Sequence, residues 1–469
     1  MMESRSKYLF KNIGILTVSN FASKLLVFLL VPLYTSVLST SEVGTFDLIV
    51  STVSLLAPIL TVNIVDAVLR FSMDSSKSKD EIAVIGLKFN SISILAAVAI
   101  VILCKFLHLF DAIAGLEFLI VLYFFFYVLN NFFIQFTKGL ERVADLGIAG
   151  VLGTVFTIGA NVVFLLVLKW GLLGFLGANI LGQAIPAIYM LFRVKIWNYL
   201  HNLKINKKLE KEMILYCSPL IATTIGWWIN SASDKYVVTL LCGISANGIL
   251  SISYKIPQVI NTLHGIFMQA WQISAIKEYG NKDSSSFYGK SFLILNVLLA
   301  GTCSWLIILA KPLGHVLYQK DFFIAWKYVP FLLISCVLNS ASGFCGSILS
   351  AKKNSRSMAM SAVYGAIANV IMNFSLVYLV GIQGATIATA ISSFIIYYVR
   401  KKAVEKDIKA KGYRIVLITW SLLFLQAVIE IYSTFWWIEV ILMAVMLVIN
   451  WRPITDMFIF GSSIFKRRG

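Results

Sequence analysis

Several ionisable residues of this 469-residue chain stand inside apolar runs, where a charge is costly and normally faces a cavity or a partner. Lys24 lies midway along one such run, with Asn20 one turn away on the same helical face. Lys255 sits about two turns into another, and Ser251, Gln258, Thr262, Gly265, Gln269 and Gln272 recur with it at helical spacing. A matching stripe runs through Asp47, Ser51, Ser54, Pro58 and Thr61, and a further run carries Asn230, Ser231, Asp234 and Lys235. Lysine is a compact point charge that attracts phosphate without demanding one geometry, which suits a carrier that must also release its cargo. The expected cargo is anionic, and Lys24, Asn20, Lys255, Gln258, Asn230, Asp234, Lys235 and Gln269 are its expected contacts. Asp66 and Asp47 are the candidates for a coupling proton or sodium ion, a role also open to Asp234, because a poorly hydrated carboxyl holds its proton more tightly. Asp66 and Arg70 are also spaced as an i, i+4 pair, and an interhelical pair is the alternative to cavity lining for Lys24.

The elements that must position these groups are membrane helices. The chain is 59% hydrophobic and 13% charged, against roughly half and a quarter in soluble domains. Its apolar runs are continuous, not alternating, and in hydrocarbon such runs must pair their own backbone as helices. The spacing predicts spans at 12–36, 44–69, 83–107, 117–137, 146–168, 172–192, 213–241, 247–274, 288–310, 327–350, 357–380 and 382–400, then a hairpin at 415–432 and 434–451. About fourteen spans place both termini on one side. With the N-terminus inside, most of the 40 lysines and arginines fall in inward loops or tails, so the net charge of +18 reads as positive-inside topology, and no nucleic-acid partner is expected. Arg5, Lys7 and Lys11 precede an apolar stretch longer than a signal peptide and without a clear cleavage site, so the first helix is expected to be retained.

Internal similarity suggests a duplication. Leu38 to Phe46 resembles Cys242 to Leu250, each a short turn ending in glycine before a helix. Gly171-Leu172-Leu173-Gly174 opens the sixth span and Gly381-Ile382-Gln383-Gly384 the twelfth, with Asn161 and Asn373 in the spans before them. The expected organisation is a six-helix lobe at 1–192, a basic cytoplasmic linker at 193–212, a second six-helix lobe at 213–402, and an extra hairpin with a basic tail at 403–469. An even number of helices per repeat gives both copies one orientation, with a central site between the halves.

Other chemistries find little footing. There is no phosphate loop ending in Lys-Ser or Lys-Thr, no His-Glu-x-x-His helix and no Gly-x-Ser-x-Gly elbow. Cys104, Cys217, Cys242, Cys303, Cys336 and Cys345 lie in or beside apolar runs without ligand spacing, and no metal or cofactor is expected. The longest outer connections, 107–116 and 311–326, offer only His108, Asp111, His315 and Asp321 to a membrane glycosyltransferase or polymerase. Trp170, Trp326, Trp436, Trp437 and Trp451 read as an interfacial belt.

Taken together, Pro32-Leu33-Tyr34-Thr35 with Ser39 to Phe46, Ser233-Asp234-Lys235, Gly248 through Ser253-Tyr254-Lys255-Ile256, and the two glycine openings resemble the polysaccharide-transporter branch of the multidrug/oligosaccharidyl-lipid/polysaccharide exporter superfamily. The family usually has Asp-Arg where this chain has Asp234-Lys235, which keeps the charge but removes bidentate recognition. The resemblance implies two lobes around a cavity lined by the first, second, seventh and eighth spans. It also implies an activity: alternating-access flipping of undecaprenyl-diphosphate-linked oligosaccharide units across the bacterial cytoplasmic membrane, for O-antigen, capsule or exopolysaccharide assembly. Membrane lipids and a polysaccharide polymerase with its chain-length machinery are the implied partners. The alternatives are a peptidoglycan lipid-precursor flippase and a cation-coupled multidrug exporter, of which the exporter fits the sign of Lys24 and Lys255 poorly.

Overall fold

A computed structural model of the chain describes residues 28–107, 115–201, 205–280, 283–408, 413–433 and 435–455, without the side chains of residues 222, 266, 269, 270, 273 and 277. Among the described residues there is no strand, and every predicted span meets a helix there, although most of the first span, 12–36, lies outside the described residues. The first unit, ending at Trp228, contains α1 Val31–Val37, α2 Thr40–Leu60, α3 Ile64–Ser72, α4 Lys79–Phe106, α5 Glu117–Gly139, α6 Val143–Asn161 and α7 Gly171–Val194. Helix α8, Lys207–Cys242, begins in this unit and continues into the second, which starts at Ile229. There follow α9 Ile244–Ser253, α10 Gln258–Glu278, α11 Ser284–Ile308, α12 Ala310–Leu317, α13 Val329–Ala351, α14 Ser355–Val380, α15 Ile382–Ala403, α16 Tyr413–Tyr432 and α17 Trp436–Ile449.

Ten described helical stretches are long and apolar enough to cross a membrane, and α9 and α17 are shorter apolar helices. Their surfaces invert the soluble rule. Leu95, Phe118, Val167, Tyr378 and Val448 are exposed, while Asn90, Asn130, Asn161, Asn369, Asn373 and Gln426 are buried. In lipid an outward leucine costs nothing, whereas an amide must find a partner inside the protein. The first unit is packed around Val68, Phe132, Phe136 and Met190 toward one end and Val53, Phe124, Leu176 and Ile180 toward the other. In the second unit α13 is the central helix, buried along most of its length.

The internal similarity has a conformational counterpart. After α5, Glu141 takes a left-handed φ of 58° and Arg142 N–H reaches back to the Thr137 carbonyl at 3.1 Å. After α13, Lys353 takes a φ of 56° and Asn354 N–H reaches the Leu349 carbonyl at 2.9 Å. The same chain offset separates Arg142 from Asn354 and Asn161 from Asn373. Gly171 and Gly381 both have positive φ, 54° and 63°, which glycine adopts without a Cβ penalty. Three positions later, a Cβ on Gly174 would lie 2.9 Å from the Cβ of Phe164, and one on Gly384 would lie 2.2 Å from the Leu376 carbonyl carbon. Each glycine pair therefore lets two antiparallel helices close on one another.

Two spans are not continuous. The second breaks between α2 and α3, where Val62 and Asn63 have φ of 56° and 51° and Asn63 N–H bonds the Pro58 carbonyl at 2.8 Å. A β-branched residue in this region is strained and persists only where its surroundings over-determine it. The eighth span, expected to be one helix with one polar stripe, breaks between Ser253 and Gln258. Pro257 has no N–H to continue the ladder and biases Ile256 away from helix. Ser251 and Ser253 are buried on one side of this break and Gln258 and Gln272 exposed on the other, so the stripe is not one face. Trp326 also departs from expectation: it is buried against Gly314, with Lys311 Nζ 5.5 Å from its ring, whereas Trp170, Trp436, Trp437 and Trp451 are exposed as an interfacial belt requires.

Candidate functional site

Lys24 and Asn20 lie outside the described residues, as do His108 and Asp111, and so does the side chain of Gln269. The remaining candidates fall in two groups, one in each unit.

In the first unit, Glu42 organises the turn into the second span. Its Oε2 accepts the Ser39 N–H at 2.8 Å while the Ser39 hydroxyl accepts the Glu42 N–H, a reciprocal cap worth about 1 kcal/mol. Its Oε1 accepts the Leu172 N–H at 3.1 Å, which ties the start of α2 to the start of α7. Asp47 is half-buried farther along α2. Ser51 is buried, and the indole of Trp228 donates to its carbonyl at 3.0 Å, so α8 lies over the stripe here. Asp66 is not paired with Arg70: its carboxylate accepts from the Asn63 side chain at 2.7 Å, and Arg70 is exposed. The strained backbone at Asn63 aims that amide at the first turn of α3, where the helix dipole already favours a carboxylate.

The opening turns of α8 are fastened to this unit. Lys77 Nζ is 2.6 Å from Glu212, Lys88 Nζ is 2.5 Å from Glu210, and Asn206 donates to Glu81 at 3.0 Å. The hydrogen bond from Lys77 holds the Glu212 carboxyl below its ordinary range. Leu209, Met213 and Cys217 fill the core beneath these pairs. Asp145 at the start of α6 meets both Arg142 and Arg193 at 2.8 Å, the second from the end of α7.

In the second unit, Asp234 is 3% exposed on α8, and the hydroxyl of Tyr254, from the break between α9 and α10, donates to it. Thr389 on α15 lies beside the same hydroxyl and donates its own to the Ala385 carbonyl at 2.9 Å. The adjacent Ser233 donates to Asn369 Oδ1 at 2.8 Å, Asn373 donates to the same oxygen at 2.9 Å, and Asn369 Nδ2 reaches Ser392 at 3.3 Å. Asn230 points its amide toward the Ala362 carbonyl at 3.4 Å. A chain of polar groups thus joins α8, α14 and α15, beside the break that carries Tyr254 and Lys255. Lys235 and Lys255 are half-buried, and Gln258 is exposed at the first position of α10.

Tyr254, Thr389, Asn369, Asn373 and Ser392 are the members of this site that sequence spacing missed. In the sequence Asn373 stands out only as a repeat marker. The missing signal was in plain sight as Pro257, which marks the chain interruption that places Tyr254 and Lys255 where a regular helix would not. Irregular backbone at membrane depth is tolerated where it is enclosed by protein or lines a water-filled path, and transporters build their sites on it.

A family profile described as polysaccharide biosynthesis protein matches residues 9–272, more than half of the chain. No curated protein matches the sequence significantly. Among solved structures, an inward closed lipid II flippase MurJ is similar over 96% of this chain and 98% of its own, with a TM-score of 0.68 and 16% identity. An inward-facing multidrug resistance MATE family transporter is similar over 82% and 95%, with a TM-score of 0.65 and 14% identity. A transporter of the same superfamily from Pyrococcus furiosus, described by the reverse polarity of its binding pocket, is similar over 84% and 93%, with a TM-score of 0.54 and 15% identity. At such identities the likeness shows a shared fold.

Proposed function

Because this chain belongs to the polysaccharide biosynthesis protein family, and so to the superfamily of membrane transporters whose fold it shares, we propose that it is a flippase for undecaprenyl-diphosphate-linked oligosaccharide units. The observation that carries the anionic headgroup is Lys255, a half-buried cation at the Pro257 interruption of an apolar span. A cation at an interrupted helix can draw a diphosphate out of the headgroup layer, and unwound backbone beside it can exchange hydrogen bonds with sugar hydroxyls. The polyprenyl tail stays in lipid, so only the polar head needs a wet path.

Lys24, Asn20, Gln258, Asn230, Lys235 and Gln269 are proposed as further contacts to the head. Asp234, held by Tyr254, fits better as the group that answers to a coupling ion than as a direct ligand; Asp66 and Asp47 are the corresponding candidates in the first unit. Transport needs no reaction by this chain, and the protein is proposed to act in the bacterial cytoplasmic membrane with both termini inside. A polymerase and its chain-length machinery would consume the product for O-antigen, capsule or exopolysaccharide.

The likeness to a lipid II flippase over nearly the whole chain supports a second reading, a flippase for a peptidoglycan precursor. A complementation experiment separates the two. In a strain lacking the gene, Lys24→Ala and Lys255→Ala should each abolish surface polysaccharide while membrane abundance and cell-wall synthesis stay normal. Wild-type export by both variants would refute the site, and rescue of a lipid II flippase deletion by the wild-type gene would favour the second reading.

A further inference from the structure

The hairpin of α16 and α17 lies beyond the two six-helix repeats and carries three polar rungs. Asn450 donates to Thr419 at 2.9 Å near one end, and in the middle Gln426 exchanges reciprocal hydrogen bonds with Ser304 on α11. At the other end the carboxyl of Glu430 on α16 comes within hydrogen-bonding reach of the carboxyl of Glu439 on α17, whose Oε2 is buried.

We propose that Glu430 and Glu439 form a proton-binding site that latches this end of the hairpin, one shared proton joining the two helices. A carboxylate can only accept a hydrogen bond, so a bond between two carboxyls requires that one of them keep its proton. The surroundings supply no substitute. Glu439 is 2% exposed, and its Oε2 is buried with no hydrogen-bond partner, so a second negative charge there would be dry and uncompensated. Lys311 at the start of α12 faces the pair: its backbone N–H donates to Glu430 and its charge acts on that carboxyl, but its ammonium lies 5.5 Å from the Trp326 ring, forms no ion pair with either glutamate among the described residues, and leaves Glu439 without a compensating charge. Among the described residues, no charged side chain of α11 or α13, the other helices packed on the hairpin, acts on the pair.

The sign follows directly. With the proton bound, the pair carries one charge and the rung is closed; once rising pH removes it, two like charges face each other across α16 and α17 and push their ends apart. The predicted topology puts this end on the outer side, so the rung reads external acidity independently of how the cargo is held.

Infrared spectroscopy of the full-length protein in lipid vesicles tests the site. The wild type should show the carbonyl stretch of a protonated carboxylic acid at neutral pH, fading as pH is raised, and Glu430→Gln and Glu439→Gln should each lose it, because the glutamine amide can donate to the remaining carboxylate. Absence of that band from the wild type, or its persistence in both variants, overturns the proposal. Should either variant fail to fold, the pH titration of the wild type still decides. A pair that is fully ionised and takes up sodium, seen as a sodium-dependent shift of the carboxylate bands, also overturns it.

Discussion

Tyr254 donates its hydroxyl hydrogen to the carboxylate of Asp234, joining the interrupted eighth span to the second half of α8 inside the C-terminal unit. A buried carboxylate needs such partners, and leaving one short costs about 1–3 kcal/mol. Tyr254→Phe should therefore lower the thermal unfolding midpoint of the purified protein and depress transport, since it disturbs the group proposed to answer to a coupling ion. Thr389→Val, beside the same hydroxyl but bonded to the Ala385 carbonyl, should do less. An unchanged midpoint in Tyr254→Phe would mean the bond is dispensable.

The hairpin glycines give a steric prediction. Gly384→Ala places a methyl 2.2 Å from a backbone carbonyl carbon, which cannot move as a side chain can. Overpacking of this kind costs about 1–3 kcal/mol, or more where backbone must shift. Gly174→Ala meets Phe164 at 2.9 Å and should cost less, and Gly159→Ala, with nothing within 4 Å, should be neutral or slightly stabilising. Unfolding midpoints of the three variants in one detergent test that order.

Acid should loosen the start of α8. The Glu212 carboxyl is depressed chiefly by its hydrogen bond to Lys77, so the pair contributes above the ordinary carboxylate range and loses its contribution as pH falls through the depressed value. Limited proteolysis around residue 205 should accelerate in the wild type only once pH falls below the ordinary carboxylate range. In Glu212→Gln, cleavage should already be faster at neutral pH and should respond less to acid. Equal pH profiles would place the acid-sensitive contact elsewhere.

Much of the fold was legible because its signals are local. Apolar length marked each span, Gly171 and Gly381 marked turns that need positive φ, and Asn161 and Asn373 are buried as matched repeat positions suggest. The interrupted eighth span was harder to read, because the polar residues around Pro257, Lys255 and Gln258, recur at helical spacing with Ser251 and Thr262 and so read equally as one face of a continuous helix. The site was legible only in part. Asp234 announces itself as a carboxylate in an apolar run, but its bond to Tyr254 spans a helix break and has no helical period. Asp66 and Arg70 had the right spacing for a pair, yet a left-handed Asn63, which no periodicity announces, captured the carboxylate first.

The central claim is that a cation at the interrupted eighth span carries the headgroup of a lipid diphosphate from one leaflet to the other. Purified protein in vesicles bearing a fluorescent undecaprenyl-diphosphate oligosaccharide, with reduction of outer-leaflet fluorophore as the readout, tests it directly. The wild type and Lys255→Arg should expose the whole lipid pool to reductant, while Lys255→Ala, equally abundant and equally folded, should expose only the outer half. Full exposure by Lys255→Ala would contradict the account.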